Sequence, residues 1–225
     1  MKTNNKLILK LEDLGEVTPL TTAQRLLFQS WDEYPIQVLH GSAGTGKSFI
    51  SVYKALEQVL DMKSEYKRLV LLRSVVPARE IGHLPGDVDE KSAVYELPYE
   101  DMCYMLFNRR DAYQRLKEQY KIQFGITSFL RGITFDNSIV IVDEIQNMNY
   151  MELYTVMTRI GVNSKIVFCG DFKQTDLKNS GLLKFLNVLR EMESTSFHEF
   201  KVNDIVRSDL VKEFILAEEA LNDRV

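Results

Sequence analysis

The chain has 225 residues and a formal net charge of -4; 45% of the residues are hydrophobic and 27% charged. That suits one α/β domain with a sizeable core. It excludes a membrane span, because no run approaches roughly 18 apolar residues. It also excludes a disulfide or zinc framework, because Cys103 and Cys169 are the only cysteines and read as two buried thiols.

Residues 1–20 read as a lead-in and residues 21–225 as a single domain. Asn4 and Asn5 stand where a secretory signal needs an apolar run, so a cytoplasmic protein is expected. Thr21 and Thr22 are set to cap a helix over 23–31, with Leu26, Leu27 and Trp31 on one side. Residues 36–39 form a short strand. Residues 48–62 form a helix in which Ile50, Tyr53, Leu56 and Leu60 recur at helical spacing. Strands follow at 68–73, 138–142 and 165–169. Their apolar runs are continuous rather than alternating, the pattern of strands covered on both faces, so the fold class is α/β with a mostly parallel sheet flanked by helices. Residues 77–125 are an excursion from that sheet, broken by Gly82, Pro85, Gly86 and Pro98 in its first half and helical over 99–120 in its second. Residues 197–202 read as a strand, and 210–221 as a helix with Leu210, Phe214 and Ala217 on one face.

The residues that carry chemistry begin at the first strand. Gly41-Ser42-Ala43-Gly44-Thr45-Gly46-Lys47-Ser48 fits G-x-x-x-x-G-K-[ST] without a gap, between a strand and a helix as the motif requires. The glycines let successive N–H groups turn inward toward phosphate oxygens, and the helix adds its positive dipole end. Lys47 is expected on the β- and γ-phosphates and Ser48 on a magnesium ion. The strand at 138–142 ends in Asp143 and Glu144. Beside a phosphate loop, Asp143 is the expected magnesium holder and Glu144 the base that orients and deprotonates an attacking water. The implied cofactors are ATP and Mg2+. The strand at 165–169 runs into Gly170-Asp171-Phe172-Lys173-Gln174. If it lies between the other two, Gln174 can sense the γ-phosphate or the water; otherwise it is an exposed loop residue.

These motifs, in this order, resemble the motor core of superfamily 1 helicases, and most closely the PhoH-like P-loop ATPases. Further matches are Leu84-Pro85-Gly86-Asp87, Phe129-Leu130-Arg131-Gly132-Ile133-Thr134-Phe135, Thr158-Arg159-Ile160-Gly161, Ser180-Gly181-Leu182 and Asp204-Ile205-Val206-Arg207. Ile145 stands where the family has alanine, Ile133 where it has arginine and Ser208 where histidine is common. The resemblance implies a RecA-like fold, ATP hydrolysis and a helicase-like motor. It also implies a role for Gln24 in reading adenine, where the sequence alone shows a helix-surface residue.

Phosphoryl transfer benefits from a cation beyond the loop lysine. The candidates are Arg73, Arg131, Arg159 and Arg207, with Arg207 and Arg131 preferred. The arginine comes either from within the domain or from a neighbouring subunit. The resemblance implies the second arrangement, a homo-oligomeric ring such as a hexamer, with sites at subunit interfaces. The expected partner is single-stranded RNA or DNA. The net charge is not the basic footprint of such a binder, but residues 109–121 gather Arg109, Arg110, Arg115, Lys117 and Lys121 around Tyr113 and Tyr120. That stretch is either a nucleic-acid groove or a helix with its rings in the core and its bases in solvent. An ATPase acting on a protein partner is the alternative reading, and a nucleotide-binding switch a third.

Overall fold

The computed structural model describes residues 8–74, 88–127, 130, 132–172 and 181–222, without the side chains of 88–92, 219 and 222. Among the described residues six strands form one sheet: β1 (Ile36–Gly41), β2 (Arg68–Arg73), β3 (Ile122–Ile126), β4 (Ser138–Asp143), β5 (Lys165–Gly170) and β6 (Thr195–Phe200). Their order is β3-β2-β4-β5-β1-β6, and every neighbouring pair is parallel. The helices are α1 (Thr22–Ser30), α2 (Lys47–Leu60), α3 (Val88–Phe107), α4 (Ala112–Glu118), α5 (Tyr150–Met157), α6 (Leu182–Arg190) and α7 (Asp209–Asn222).

Alternate residues of the central strands feed two cores. Leu69, Leu71, Ile139, Ile141 and Val167 pack with α1, α2, α3 and α4 on one face. Val70, Leu72, Val140, Val142 and Phe168 pack with α5 and α6 on the other. A parallel strand covered on both sides has no polar face to show, which is why these segments are continuous apolar runs. Each such side chain contributes roughly 1.5–3 kcal/mol by burial.

The excursion differs from its reading in three places. Helix α3 starts at Val88, well before residue 99, and runs through Pro98, which lies inside the helix and does not break it. The excursion's last residues are β3, an edge strand paired to β2 from Leu69↔Ile122 to Arg73↔Ile126. Its helical stretch is two helices, because Asn108 turns the chain at φ 51° after α3. At the end of α4, Tyr120 takes φ 57°, and the N–H groups of Tyr120 and Lys121 close back on the Lys117 and Leu116 carbonyls. This left-handed stop removes Tyr120 from the helical face and leaves it 83% exposed, while Phe107, Tyr113 and Leu116 are buried. Leu26 of α1 likewise faces solvent, and only Leu27 and Trp31 of the expected trio enter the core. On α7, Leu210 and Phe214 are exposed. In the lead-in, Leu9 is buried, and the Gly15 N–H donates to the Leu106 carbonyl at 2.8 Å.

A buried polar cluster ties α1 to the sheet. The Gln37 amide donates to the carbonyls of Ser30 (3.0 Å) and Tyr34 (3.3 Å), and its oxygen lies 2.8 Å from His198 Nε2. Carbonyl partners fix the orientation of the amide, so His198 Nε2 is the donor to its oxygen. Burial pushes the His198 pKa down to about 4. Lys165 donates to the Trp31 and Tyr34 carbonyls, and burial lowers its pKa to about 8.

Candidate nucleotide site

The strand order sets the site. β5 lies between β1 and β4, in register through Val38↔Phe168 and Val142↔Phe168. The loop after β1 and the carboxylates that end β4 therefore face each other across the width of one strand. Open α/β sheets bind ligands at such carboxyl ends.

Gly41 ends β1 at φ 121°, and a Cβ there would lie 1.9 Å from the Phe200 carbonyl oxygen. Only glycine turns the chain this close to β6. The same oxygen accepts the Ser42 N–H at 2.9 Å, and the Thr45 hydroxyl closes the loop on the Ser42 carbonyl at 3.0 Å. Gly46, at φ 82°, precedes α2 and supplies no side-chain cap. The first-turn N–H groups of a helix have no intrahelical acceptor, so they suit an anion. The Lys47 ammonium donates to the carbonyls of Gly41 (2.7 Å) and Ser42 (2.8 Å). Burial lowers its pKa, against the opposing pull of nearby acids that include Asp171 and Glu144.

Across β5, the Asp143 carboxylate is held at both oxygens. The Ser48 hydroxyl donates to Oδ1 at 2.8 Å and the Tyr99 hydroxyl to Oδ2 at 3.0 Å. Burial first, and the charge of Asp143 second, hold the Tyr99 pKa well above the ordinary phenol value. Tyr99 is therefore the proton donor. Glu144 follows at φ 56°, a left-handed conformation uncommon for any residue but glycine. Its Oε1 lies 3.8 Å from Arg73 Nη2, and its Oε2 accepts from the Gln146 amide. The Gln146 oxygen in turn accepts the Asp171 N–H at 3.1 Å. Gln146 fits there because position 170 is glycine; a Cβ would stand 2.7 Å from its Oε1.

These groups enclose a cavity of about 310 Å³ bounded by the loop, Arg73, Asp143, Glu144, Gln146 and Arg207. A second cavity of about 470 Å³ shares Gly44, Gly46, Phe49, Pro98, Met102 and Arg207 with it and adds Leu20, Met105 and Val206. A polar chamber opening into a largely apolar one has the chemistry for phosphates joined to a flat ring. Gln24 lines the second cavity and is buried, not on the helix surface. Its amide accepts from the Leu20 N–H (2.8 Å) and donates to the Thr45 carbonyl (3.0 Å), which leaves one acceptor and one donor position for a ligand edge. Among the described residues no group of three or more His, Cys, Asp or Glu side chains is placed to hold a metal. The Ser48 and Asp143 oxygens nonetheless fit a magnesium ion, which binds few protein ligands and fills its shell with phosphate and water.

Arg207 lines the first cavity of its own chain. Its Cγ would touch a Cβ at Gly44 at 2.9 Å, and the neighbouring Val206 N–H donates to the Gly44 carbonyl at 3.0 Å. It lies two residues before α7, which starts at Asp209. Arg73 shares the first cavity, and Arg159 does not line it. Arg131, Gln174, Phe129 and residues 84–87 lie outside the described residues. Sequence reasoning gave no role to Tyr99 or Gln146. Gln146 stands two residues after Glu144, close to the paired carboxylates, whereas nothing local marks Tyr99. Of the two rings in the basic stretch, Tyr113 enters the core and Tyr120 is exposed, while most of the bases are paired within the chain. Tyr113 is buried with its hydroxyl on Glu96, Lys117 pairs with Glu96, and Asp111 takes Arg109 and Arg115. Those two arginines hold the Asp111 pKa down at about 2.

A six-stranded parallel sheet with this loop at the tip of β1 and paired carboxylates at the tip of β4 is a RecA-like P-loop NTPase fold. The family described as PhoH-like protein matches residues 16–219, and the chain belongs to it. A PhoH-like protein of Synechocystis sp. is 35% identical over 219 residues, covering 95% of this chain and 66% of its own. A PhoH-like protein of Bacillus subtilis is 34% identical over 186 residues, covering 81% of this chain and 57% of its own. Protein PhoH of Escherichia coli is 34% identical over 175 residues, 76% of this chain and 49% of its own. The chain thus spans between about half and two thirds of these relatives. The large terminase of a thermophilic bacteriophage shares the fold, with a TM-score of 0.53 over 88% of this chain and 50% of that one, at 14% identity. Among the described residues no helix is long and apolar enough to cross a membrane.

Proposed function

We propose that this protein is a magnesium-dependent ATPase that couples hydrolysis to binding or remodelling single-stranded RNA or DNA, as a helicase-like motor. The observation that carries the hydrolytic part is the convergence of Lys47, Ser48, Asp143 and Glu144 on one cavity, with Ser48 and Asp143 2.8 Å apart. In this reading the loop N–H groups and Lys47 hold the β- and γ-phosphates, and Lys47 exchanges its carbonyl partners for phosphate oxygens. Ser48 and Asp143 would hold magnesium, which when bound neutralises charge developing on the phosphates. Glu144, steadied by Gln146, orients the attacking water and takes its proton. Gln24 and the apolar chamber receive adenine. The central position of β5 supports Gln174 as the sensor.

Arg207 and Arg73 on the cavity wall favour a cation supplied within the chain. A homo-oligomeric ring in which a neighbour supplies it, with Arg131 as the other candidate, is the second arrangement. Mixed Lys47→Ala and Arg207→Ala subunits regain activity only in that ring. The nucleic-acid part is supported by the resemblance to superfamily 1 motors, while the internal pairing of residues 109–121 argues against that stretch as the groove. The two free buried thiols suit a reducing cytoplasm. Phosphate release measured with magnesium, with and without single-stranded RNA and DNA, tests the whole reading. Stimulation by one polymer supports the motor and names its substrate. Turnover indifferent to both refutes the nucleic-acid part and points to a protein partner.

A further inference from the structure

We propose that Tyr99 is a positioning residue for the cation-holding carboxylate, and that α3 thereby ties the nucleoside chamber to the metal end of the site. The proposal rests on the nucleotide reading above. Asp143 receives its two hydroxyl donors from different helices, Ser48 from α2 and Tyr99 from α3. One donor on each oxygen fixes both the place and the plane of a carboxylate, where a single donor leaves it free to rotate. Tyr99 has no exposed surface and lines neither cavity. It therefore acts on a ligand only through Asp143.

The neighbours of Tyr99 on the same helix do reach the cavities. Pro98 and Met102 border both, and Met105 borders the apolar one. About two turns of α3 thus carry the wall of the base chamber and the hydroxyl that orients Asp143. A ring seated against Met102 and Met105 bears on the helix that holds the carboxylate. The Tyr99 ring packs 5.9 Å from that of Phe124 on β3, which keeps the helix against the sheet edge.

Tyr99→Phe keeps the ring and removes only the hydroxyl. The readouts are binding of a fluorescent ATP analogue in EDTA, the magnesium concentration that half-saturates the tightened binding, and the melting temperature. Affinity in EDTA is expected to stay at the wild-type value. The half-saturating magnesium concentration is expected to rise on the order of tenfold, the factor associated with one hydrogen bond to a charged group. Phe124→Leu loosens the same packing without touching the hydroxyl; it should lower the melting temperature and leave the magnesium dependence unchanged. A Tyr99→Phe protein with wild-type magnesium dependence overturns the proposal. So does an equal shift in Phe124→Leu, which would assign the effect to packing. Wild-type protein whose nucleotide affinity ignores magnesium overturns the metal reading itself, a failure distinct from the other two.

Discussion

The Ser48 hydroxyl donates to the Asp143 carboxylate at 2.8 Å, across a separation of 95 residues in the chain. The first belongs to the helix that follows the phosphate loop, the second to the tip of β4, and β5 sets the gap between their strands. Ser48→Thr keeps the hydroxyl and should keep magnesium-dependent nucleotide binding. Ser48→Ala should lower nucleotide affinity in magnesium by about tenfold, the weight of one charge-assisted bond, and leave affinity in EDTA unchanged. Calorimetric titration under both conditions checks it.

Gln146 holds Glu144 from one end and the backbone of Asp171 from the other. Gly170→Ala pushes a methyl into that amide. It should cut turnover by tenfold or more, in the order of a misplaced catalytic group, with nucleotide affinity close to wild type. Gln146→Ala should do the same. Steady-state kinetics beside equilibrium binding separates the two effects.

His198 makes stability sensitive to acid. Its folded pKa of about 4 lies below the ordinary value of 6.5 because the ring is buried. Between those values the unfolded chain binds a proton that the folded chain does not, so stability is full above pH 6.5 and falls as pH drops toward 4. The expected loss from pH 7 to pH 5 is about 2 kcal/mol, read from urea unfolding. His198→Gln should flatten the dependence over that range.

Both cysteines should be inert in the folded protein. Burial pushes the Cys103 pKa up to about 12 and that of Cys169 further, and both side chains are enclosed. Thiolate is the reactive form, so iodoacetamide at pH 8 should label neither until the chain is unfolded. Mass spectrometry before and after urea treatment reads this directly.

The sequence was most legible where burial is two-sided. β2 has the bounds its apolar run predicts, and β4 and β5 are buried at every position. The phosphate loop was legible because its residues are contiguous. β3 was not, since an edge strand with Gln123 and Gly125 pairs on one side only and shows no continuous run. The single helix expected over 99–120 failed because left-handed stops at Asn108 and Tyr120 come from residues without the glycine signal. Tyr99 could not be found at all, because its partner lies 44 residues away and its neighbours look like ordinary helix. Arg207 was preferred for its place between the strand read at 197–202 and the last helix, but its seat against Gly44 depends on β6 bringing the chain back beside β1.

Glu144→Gln removes the proposed base and leaves the phosphate loop intact. ATP binding and phosphate release should be measured on the same preparation in magnesium. The expected result is nucleotide affinity near wild type with turnover reduced at least about a hundredfold, the scale of a lost general base. A Glu144→Gln protein that still releases phosphate at the wild-type rate would rule out Glu144 as the base.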